Sequence, residues 1–186
     1  LPGLAEHGVT LITDLERLRG RDRDHLDAYF QSNVFPVLTP LAVDPGHPFP
    51  YISNLSLSLA VVLRDSDGDE RFARVKVPKL LPRWVPLTTP NQFVPLEYII
   101  GANLGALFPG VEILGWHTFR ITRNTELELD EDEADDLLSH IQEEVRNRRF
   151  GEVVRLEVQE SMPPSLRQLL IAEFNEEQES PALALT

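Results

Sequence analysis

The chain has 186 residues, 42% of them hydrophobic and 25% charged, enough apolar content to bury a core of its own and too much for a disordered polymer. It holds no cysteine, which excludes disulfide frameworks, thiolate zinc sites and cysteine nucleophiles. Seventeen basic against thirty acidic residues give a formal charge of −13, which repels nucleic acid and anionic lipid and leaves room only for a local basic groove.

Residues 1–13 carry one short strand signal, Val9-Thr10-Leu11-Ile12. Leu15, Leu18, Leu26, Tyr29, Phe30 and Val34 fall near a 3.6 period and predict a helix from about Asp14 to Val34, with Gly20 as an interruption. Five prolines between Pro36 and Pro50 rule out a regular helix or a central strand, because proline removes a donor and fixes φ. The apolar residues among them (Phe35, Val37, Leu38, Leu41, Val43, Phe49) predict a segment that packs down on the core.

Leu55 to Leu63 and Ala73 to Val77 alternate with period two across an Asp65-Ser66-Asp67-Gly68-Asp69 turn, which predicts a hairpin. A second stretch with five prolines runs from Pro78 to Pro95, and a helix with Leu96, Ile99, Ile100, Leu104 and Leu107 on its stripe follows. Val111, Ile113, Phe119 and Ile121 share the parity of a long strand. Asp130 with Glu133 reads as a capping box for a helix striped by Ala134, Leu137, Leu138, Ile141 and Val145. Arg146, Arg148 and Arg149 close that helix and Gly151 ends it. A strand with Val154, Leu156 and Val158 inward and a helix from Met162 to Phe174 complete the order. After the N-terminal helix the elements run β-β-α-β-α-β-α, an α+β fold with an antiparallel or mixed sheet covered by helices.

The chemistry is sparse. Phosphate loops, the G-x-S-x-G elbow and H-E-x-x-H are absent. Gly101 and Gly105 have a G-x-x-x-G spacing that close packing explains. Asp65, Asp67 and Asp69 start like a calcium loop, but Glu70 and Lys76 stand where glycine and glutamate are required. The acidic run Glu126 to Asp136 reads as a charged helix N-terminus. His7, His25, His47, His117 and His140 are scattered, with His117 on the inward parity of Phe119 and Ile121. Arg64, Arg71, Arg74, Lys76, Lys79 and Arg83 cluster around the hairpin, and Arg74 and Lys76 are the candidate contact for a polyanion or a partner.

The string Phe35-Pro36-Val37-Leu38-Thr39-Pro40-Leu41-Ala42-Val43-Asp44-Pro45-Gly46-His47-Pro48-Phe49-Pro50, running on through Tyr51-Ile52-Ser53-Asn54-Leu55-Ser56-Leu57, resembles the middle segment of the type 1 polyphosphate kinases. Ala73-Arg74-Val75-Lys76-Val77-Pro78, Phe93-Val94-Pro95-Leu96-Glu97, Phe108-Pro109-Gly110, Phe119-Arg120-Ile121-Thr122-Arg123-Asn124, Glu131 to Leu138, Val154 to Val158 and Ser161-Met162-Pro163 continue the resemblance in order. It implies an enzyme that reversibly moves the ATP γ-phosphate onto polyphosphate through a phosphohistidine, with Mg²⁺. It places that histidine in C-terminal domains and matches none of the five here, so no catalytic, cofactor-binding or metal residue is carried over.

The resemblance further implies residues 1–34 as the end of an N-terminal helical domain, 35–175 as the middle or head domain, associated with dimerisation, and 176–186 as the start of a linker. The absence of an initiator methionine and the acidic tail Glu176 to Glu179 agree with a fragment. The expected partners are the remaining domains of the same chain, a second copy in a homo-oligomer, and polyphosphate, with ATP and Mg²⁺ belonging to the full-length enzyme. Nucleic acid is not expected. No apolar run reaches the length of a membrane span and no signal peptide opens the chain, so the expected compartment is the cytoplasm, with membrane association left to the full-length enzyme. The alternative is a stand-alone, non-enzymatic interaction or polyanion-binding module.

Overall fold

The computed structural model describes residues 2–43, 49–124 and 151–179. The chain divides into two compact units, Leu1–Pro50 with Ser58–Thr118, and Tyr51–Leu57 with Phe119–Thr186.

In the first unit a short helix α1 (Pro2–Glu6) leads to β1 (Thr10–Leu11). The predicted helix 14–34 is broken, because Gly20 takes a φ of +58° that only glycine adopts freely. A 3₁₀ turn at Leu15–Arg17 precedes it, and α2 (Arg21–Tyr29) follows and widens into a π turn at Phe30–Val34. Leu26, Phe30 and Val34 are buried at four-residue spacing. The proline-rich segment then gives β2 (Pro40–Val43), an edge strand antiparallel to residues Phe72–Val75, where a missing N–H is tolerated. Phe49 stacks on Phe72 at 5.2 Å, but Phe35, Val37 and Leu41 stay half-exposed, so the segment packs down only in part.

The hairpin is present as β3 (Leu57–Arg64) and β4 (Glu70–Lys76), in register from Ser58 opposite Lys76 to Arg64 opposite Glu70. Gly68 supplies the positive φ of its turn, and neighbours run β2-β4-β3. Leu59, Val61, Ala73 and Val75 are buried on one face and Ser58, Ala60, Phe72 and Arg74 on the other, so both sides of the hairpin are covered. The second proline-rich stretch holds β5 (Trp84–Pro86) and β6 (Gln92–Pro95), strands absent from the sequence reading. With β1 they make a mixed three-stranded sheet, β1 parallel and β5 antiparallel to β6.

Pro95 caps α3 (Leu96–Ala102) with an extended backbone, and the predicted single helix stops at Asn103 before α4 (Leu104–Leu107). Leu96, Ile99, Ile100 and Leu104 are buried, each contributing roughly 1.5–3 kcal/mol by leaving water. Gly101 admits the Trp116 ring, which a Cβ would meet at 2.2 Å, whereas Gly105 faces open space; the G-x-x-x-G pair is half a packing motif. The boundary that the sequence placed after residue 34 falls inside this unit.

In the second unit, β7 (Glu112–Arg123), whose first half belongs to the first unit, pairs through Phe119–Arg123 with β8 (Val153–Val158) in an antiparallel ribbon. The register slips between Thr122 and Arg123 and passes over Val154. That bulge turns Val154 outward, 60% exposed, and corrects the inward placement read from alternation. Leu156 and Val158 are half-buried. Helix α5 (Pro164–Glu179) buries Leu166, Leu170 and Phe174 and runs through Glu176, where the sequence reading begins a linker. Gly151 is needed for its backbone approach, since a Cβ would lie 2.0 Å from the Asn124 carbonyl oxygen. The Asp130–Glu133 capping box, the stripe from Ala134 to Val145 and Arg146, Arg148 and Arg149 lie outside the described residues. Among those described, the two-unit α+β architecture with antiparallel and mixed sheets agrees with the fold class read from the sequence.

Candidate functional site

The hairpin cations are where a polyanion site was expected, and the strand geometry sorts them. Arg64 pairs with Glu112 at 3.1 Å and Glu70 at 3.6 Å. Arg71 pairs with Asp65 at 3.0 Å and Asp69 at 3.5 Å. Arg83 meets Glu97 at 2.8 Å and stacks its guanidinium 5.3 Å from the Trp84 ring centre. These three are engaged by the protein's own carboxylates. Arg74 is only 6% exposed, and its Nε donates to the Ser58 hydroxyl at 3.2 Å. Burial pulls its guanidinium below its ordinary pKa. Lys76, two residues on and on the same strand face, is exposed. Partial desolvation, then the nearby charges of Arg74 and Lys79, push its ammonium below the usual lysine value. The structure thus brings Lys76, Arg74 and Lys79 near one another, with Arg74 inside and Lys76 at the surface.

Asp65 is spent on the turn. Its Oδ1 accepts the N–H groups of Asp67 (3.0 Å) and Asp69 (2.9 Å), and the hydrogen bond from the Arg71 guanidinium, ahead of these N–H groups, lowers its carboxyl pKa. No three His, Asp or Glu side chains stand together to hold a metal among the described residues. His7 Nδ1 sits 3.0 Å from the Gly3 carbonyl and His25 Nε2 3.1 Å from that of Pro86. His117 is half-buried, and burial lowers its pKa. His47 and His140 lie outside the described residues. Asp22 at the start of α2 accepts from both hydroxyls of Thr88 and Thr89 and from the Thr89 N–H at 3.1 Å, and these donors hold its pKa at about 2.

Sequence reasoning missed Arg123. It shares the inward parity of Phe119 and Ile121 and is 3% exposed. Its Nε donates to the Ile52 carbonyl and one terminal nitrogen to that of Gly151, both at 2.9 Å. Its backbone N–H donates to Asn54 Oδ1 at 2.9 Å, and the Tyr51 ring centre lies 4.6 Å from its guanidinium carbon. One side chain ties the Tyr51–Leu57 segment and the approach to β8 onto β7. A charge at an inward strand position was the available signal.

Comparison with known proteins gives a consistent set. The model of the polyphosphate kinase middle domain matches residues 21–181. The polyphosphate kinase of Thermosynechococcus vestitus is 55% identical over 184 residues, covering 94% of this chain and 25% of that protein. That of Streptomyces coelicolor is 51% identical over 174 residues, covering 93% and 23%. The polyphosphate kinase of Aphanizomenon baltica is 49% identical, and this chain spans 48% of it. The crystal structure of the Porphyromonas gingivalis polyphosphate kinase superposes with a TM-score of 0.70 at 24% identity, covering 97% of this chain and 25% of that one, which supports the fold. The chain spans a quarter to a half of these relatives.

Proposed function

The chain belongs to the polyphosphate kinase middle-domain family, and we propose that it serves as the middle (head) domain of an enzyme that reversibly transfers the ATP γ-phosphate to inorganic polyphosphate. Its role there is structural and dimerising, in the cytoplasm, with the phosphohistidine, the nucleotide and Mg²⁺ handled by other domains of the polypeptide. The observation that carries this reading is the family match over 21–181 in a chain spanning about a quarter of the Thermosynechococcus relative. The disposition of its own cations supports it. Phosphoryl transfer needs a nucleophile, a metal and cationic clamps converging on one phosphoryl group. Here Arg64, Arg71 and Arg83 are held by carboxylates and Arg74 is inside the sheet. No helix among the described residues is long and apolar enough to cross a membrane.

The test is incubation of the purified chain with γ-labelled ATP, Mg²⁺ and polyphosphate. No turnover and no acid-labile protein label are expected, and an acid-labile phosphoryl group on the chain would overturn the assignment of the phosphohistidine to other domains. A second reading, a polyanion contact at the hairpin, is favoured by the exposed Lys76 beside Arg74 and Lys79. Lys76→Glu probes it without disturbing the sheet interior, which an Arg74→Glu substitution would. Loss of polyphosphate retention in Lys76→Glu supports the contact, and unchanged retention removes it.

A further inference from the structure

Strand β8 ends its sheet, with β7 its one neighbour among the described residues. Edge strands recruit other strands unless proline, brevity or charge blunts them. The other described edges are blunted. β2 carries Pro40, β5 has three residues and ends in Pro86, and β1 has two residues. β8 runs for six residues, Val153–Val158, without proline or glycine. The direction of its main chain follows from β7. The Ile121 carbonyl accepts the Leu55 N–H at 3.0 Å, so Ile121 turns its main-chain groups away from β8. Bonded and non-bonded pairs alternate in an antiparallel ladder. Arg120 with Glu157 and Thr122 with Arg155 are therefore the bonded pairs, and Leu156, opposite Ile121, points its N–H and C=O away from β7 along the edge.

The strand also has a symmetry. Val154-Arg155-Leu156-Glu157-Val158 reads apolar, charged, apolar, charged, apolar from either end, with arginine and glutamate exchanged. Leu156 shares the face of Ile121, while Arg155 and Glu157 lie on the other face with Arg120, which meets Glu157 at 2.7 Å. Arg155 reaches the same carboxylate at 3.1 Å and its side chain is 67% exposed. An antiparallel copy centred on Leu156 sets each Arg155 opposite a Glu157. A slide of two residues sets Arg155 against Arg155 in one direction and Glu157 against Glu157 in the other, and like charges directly opposite are destabilising. A slide of one residue turns the apolar face of the copy to the wrong side. The centred register also brings the outward groups of the two Leu156 residues together as a bonded pair. It leaves Arg155 and Glu157 in the closer non-bonded position, with Cα atoms about 4.5 Å apart.

We infer that the β8 edge pairs antiparallel with β8 of a second copy of this chain, about a two-fold axis at Leu156, with Arg155 of each copy against Glu157 of the other. This rests on the dimerising role proposed above and names the element and the register that carry it. The occupant follows from the self-complementarity of the strand. A second copy supplies both the opposite charges and the matching main-chain groups, and one two-fold axis satisfies both Arg155–Glu157 pairs at once. Main-chain bonds along the edge hold the copies together, and the charges select the register.

The experiment uses the full-length enzyme that contains this chain. At a two-fold bonded pair the Leu156 Cα atoms lie about 5.5 Å apart, within the span of a disulfide. On oxidation, Leu156→Cys should give a disulfide-linked dimer that mass spectrometry maps to position 156 in both copies. Adding Arg155→Glu, which sets glutamate against Glu157, should lower that yield roughly tenfold or more, and adding Glu157→Arg instead should do the same. Co-expression of these two double variants puts opposite charges face to face in the mixed dimer and should restore the link, a result that misfolded chains could not give. No link between the two 156 positions, a yield indifferent to Arg155→Glu, or a mixture that stays unlinked overturns the inference. Polyphosphate synthesis from ATP by the unsubstituted enzyme separates the two claims. Synthesis without the link removes the strand pairing alone, and the link without synthesis supports the pairing and removes the proposed function alone.

Discussion

Two buried arginines, Arg74 in the first unit and Arg123 in the second, occupy strands of similar pattern and are used differently. Arg123 donates to two backbone carbonyls from segments distant in sequence, Ile52 and Gly151, and carries the Tyr51 ring. Arg74 donates to a hydroxyl on the adjacent strand of its own hairpin, whose register the β3–β4 ladder already sets. The contrast separates a cation that joins segments from one that fills a position within an element, and it predicts unequal consequences for equal truncations.

The largest effect is expected from Arg123→Met. Two charge-assisted bonds and a cation–π contact disappear together and leave buried carbonyls unsatisfied, a loss of about 3–5 kcal/mol in urea unfolding. A loss below 1 kcal/mol would remove the distinction between the two arginines. Next is Gly101→Ala, where the new methyl meets the Trp116 ring, itself edge-on to Tyr98 at 5.4 Å, so about 1–3 kcal/mol of overpacking should appear. Arg74→Met should cost about 1 kcal/mol or less by the same urea measurement, because methionine of similar volume restores the packing; a cost matching Arg123→Met would show that the hairpin depends on its cation after all.

The smallest effect concerns Asp22. Its pKa falls from the ordinary aspartate value of 3.8 to about 2 on folding, so its contribution is present above the unfolded value and lost as pH drops from about 4 toward 2. Thermal melts of Asp22→Asn should lack that portion of the acid dependence and otherwise track the parent. An identical acid slope in both proteins would mean that the Thr88 and Thr89 bonds do not distinguish the folded carboxylate.

Much of the fold was legible because period-two alternation meets an Asp-Gly turn at Asp65–Asp69, and four-residue spacing marks Leu166, Leu170 and Phe174. The strands lost to sequence reading are those carrying proline. Pro40 lies on a sheet edge and Pro86 and Pro95 at strand ends, places where a missing donor is tolerated, so proline there marks position within a sheet. The candidate site was half legible. Alternation put Arg74 and Lys76 on one face, but the burial of Arg74 depends on whatever covers that face, which no local pattern encodes. Arg123 stood in plain view on the parity of Phe119 and Ile121, and Val154 was misplaced because a bulge resets parity without leaving a mark in composition.

The pairing of β1 with β6 bears on where this protein can be cut. The family match begins at residue 21, yet Thr10 donates its N–H to the Asn91 carbonyl at 2.9 Å and Ile12 to that of Phe93 at 2.8 Å. A chain trimmed to residue 21 would strip β1 from β6 and take these donors from the Asn91 and Phe93 carbonyls. Such an edge recruits strands from neighbouring molecules. The twenty residues ahead of the family match therefore cover a sheet edge, and their removal should be visible as aggregation before any change in secondary structure.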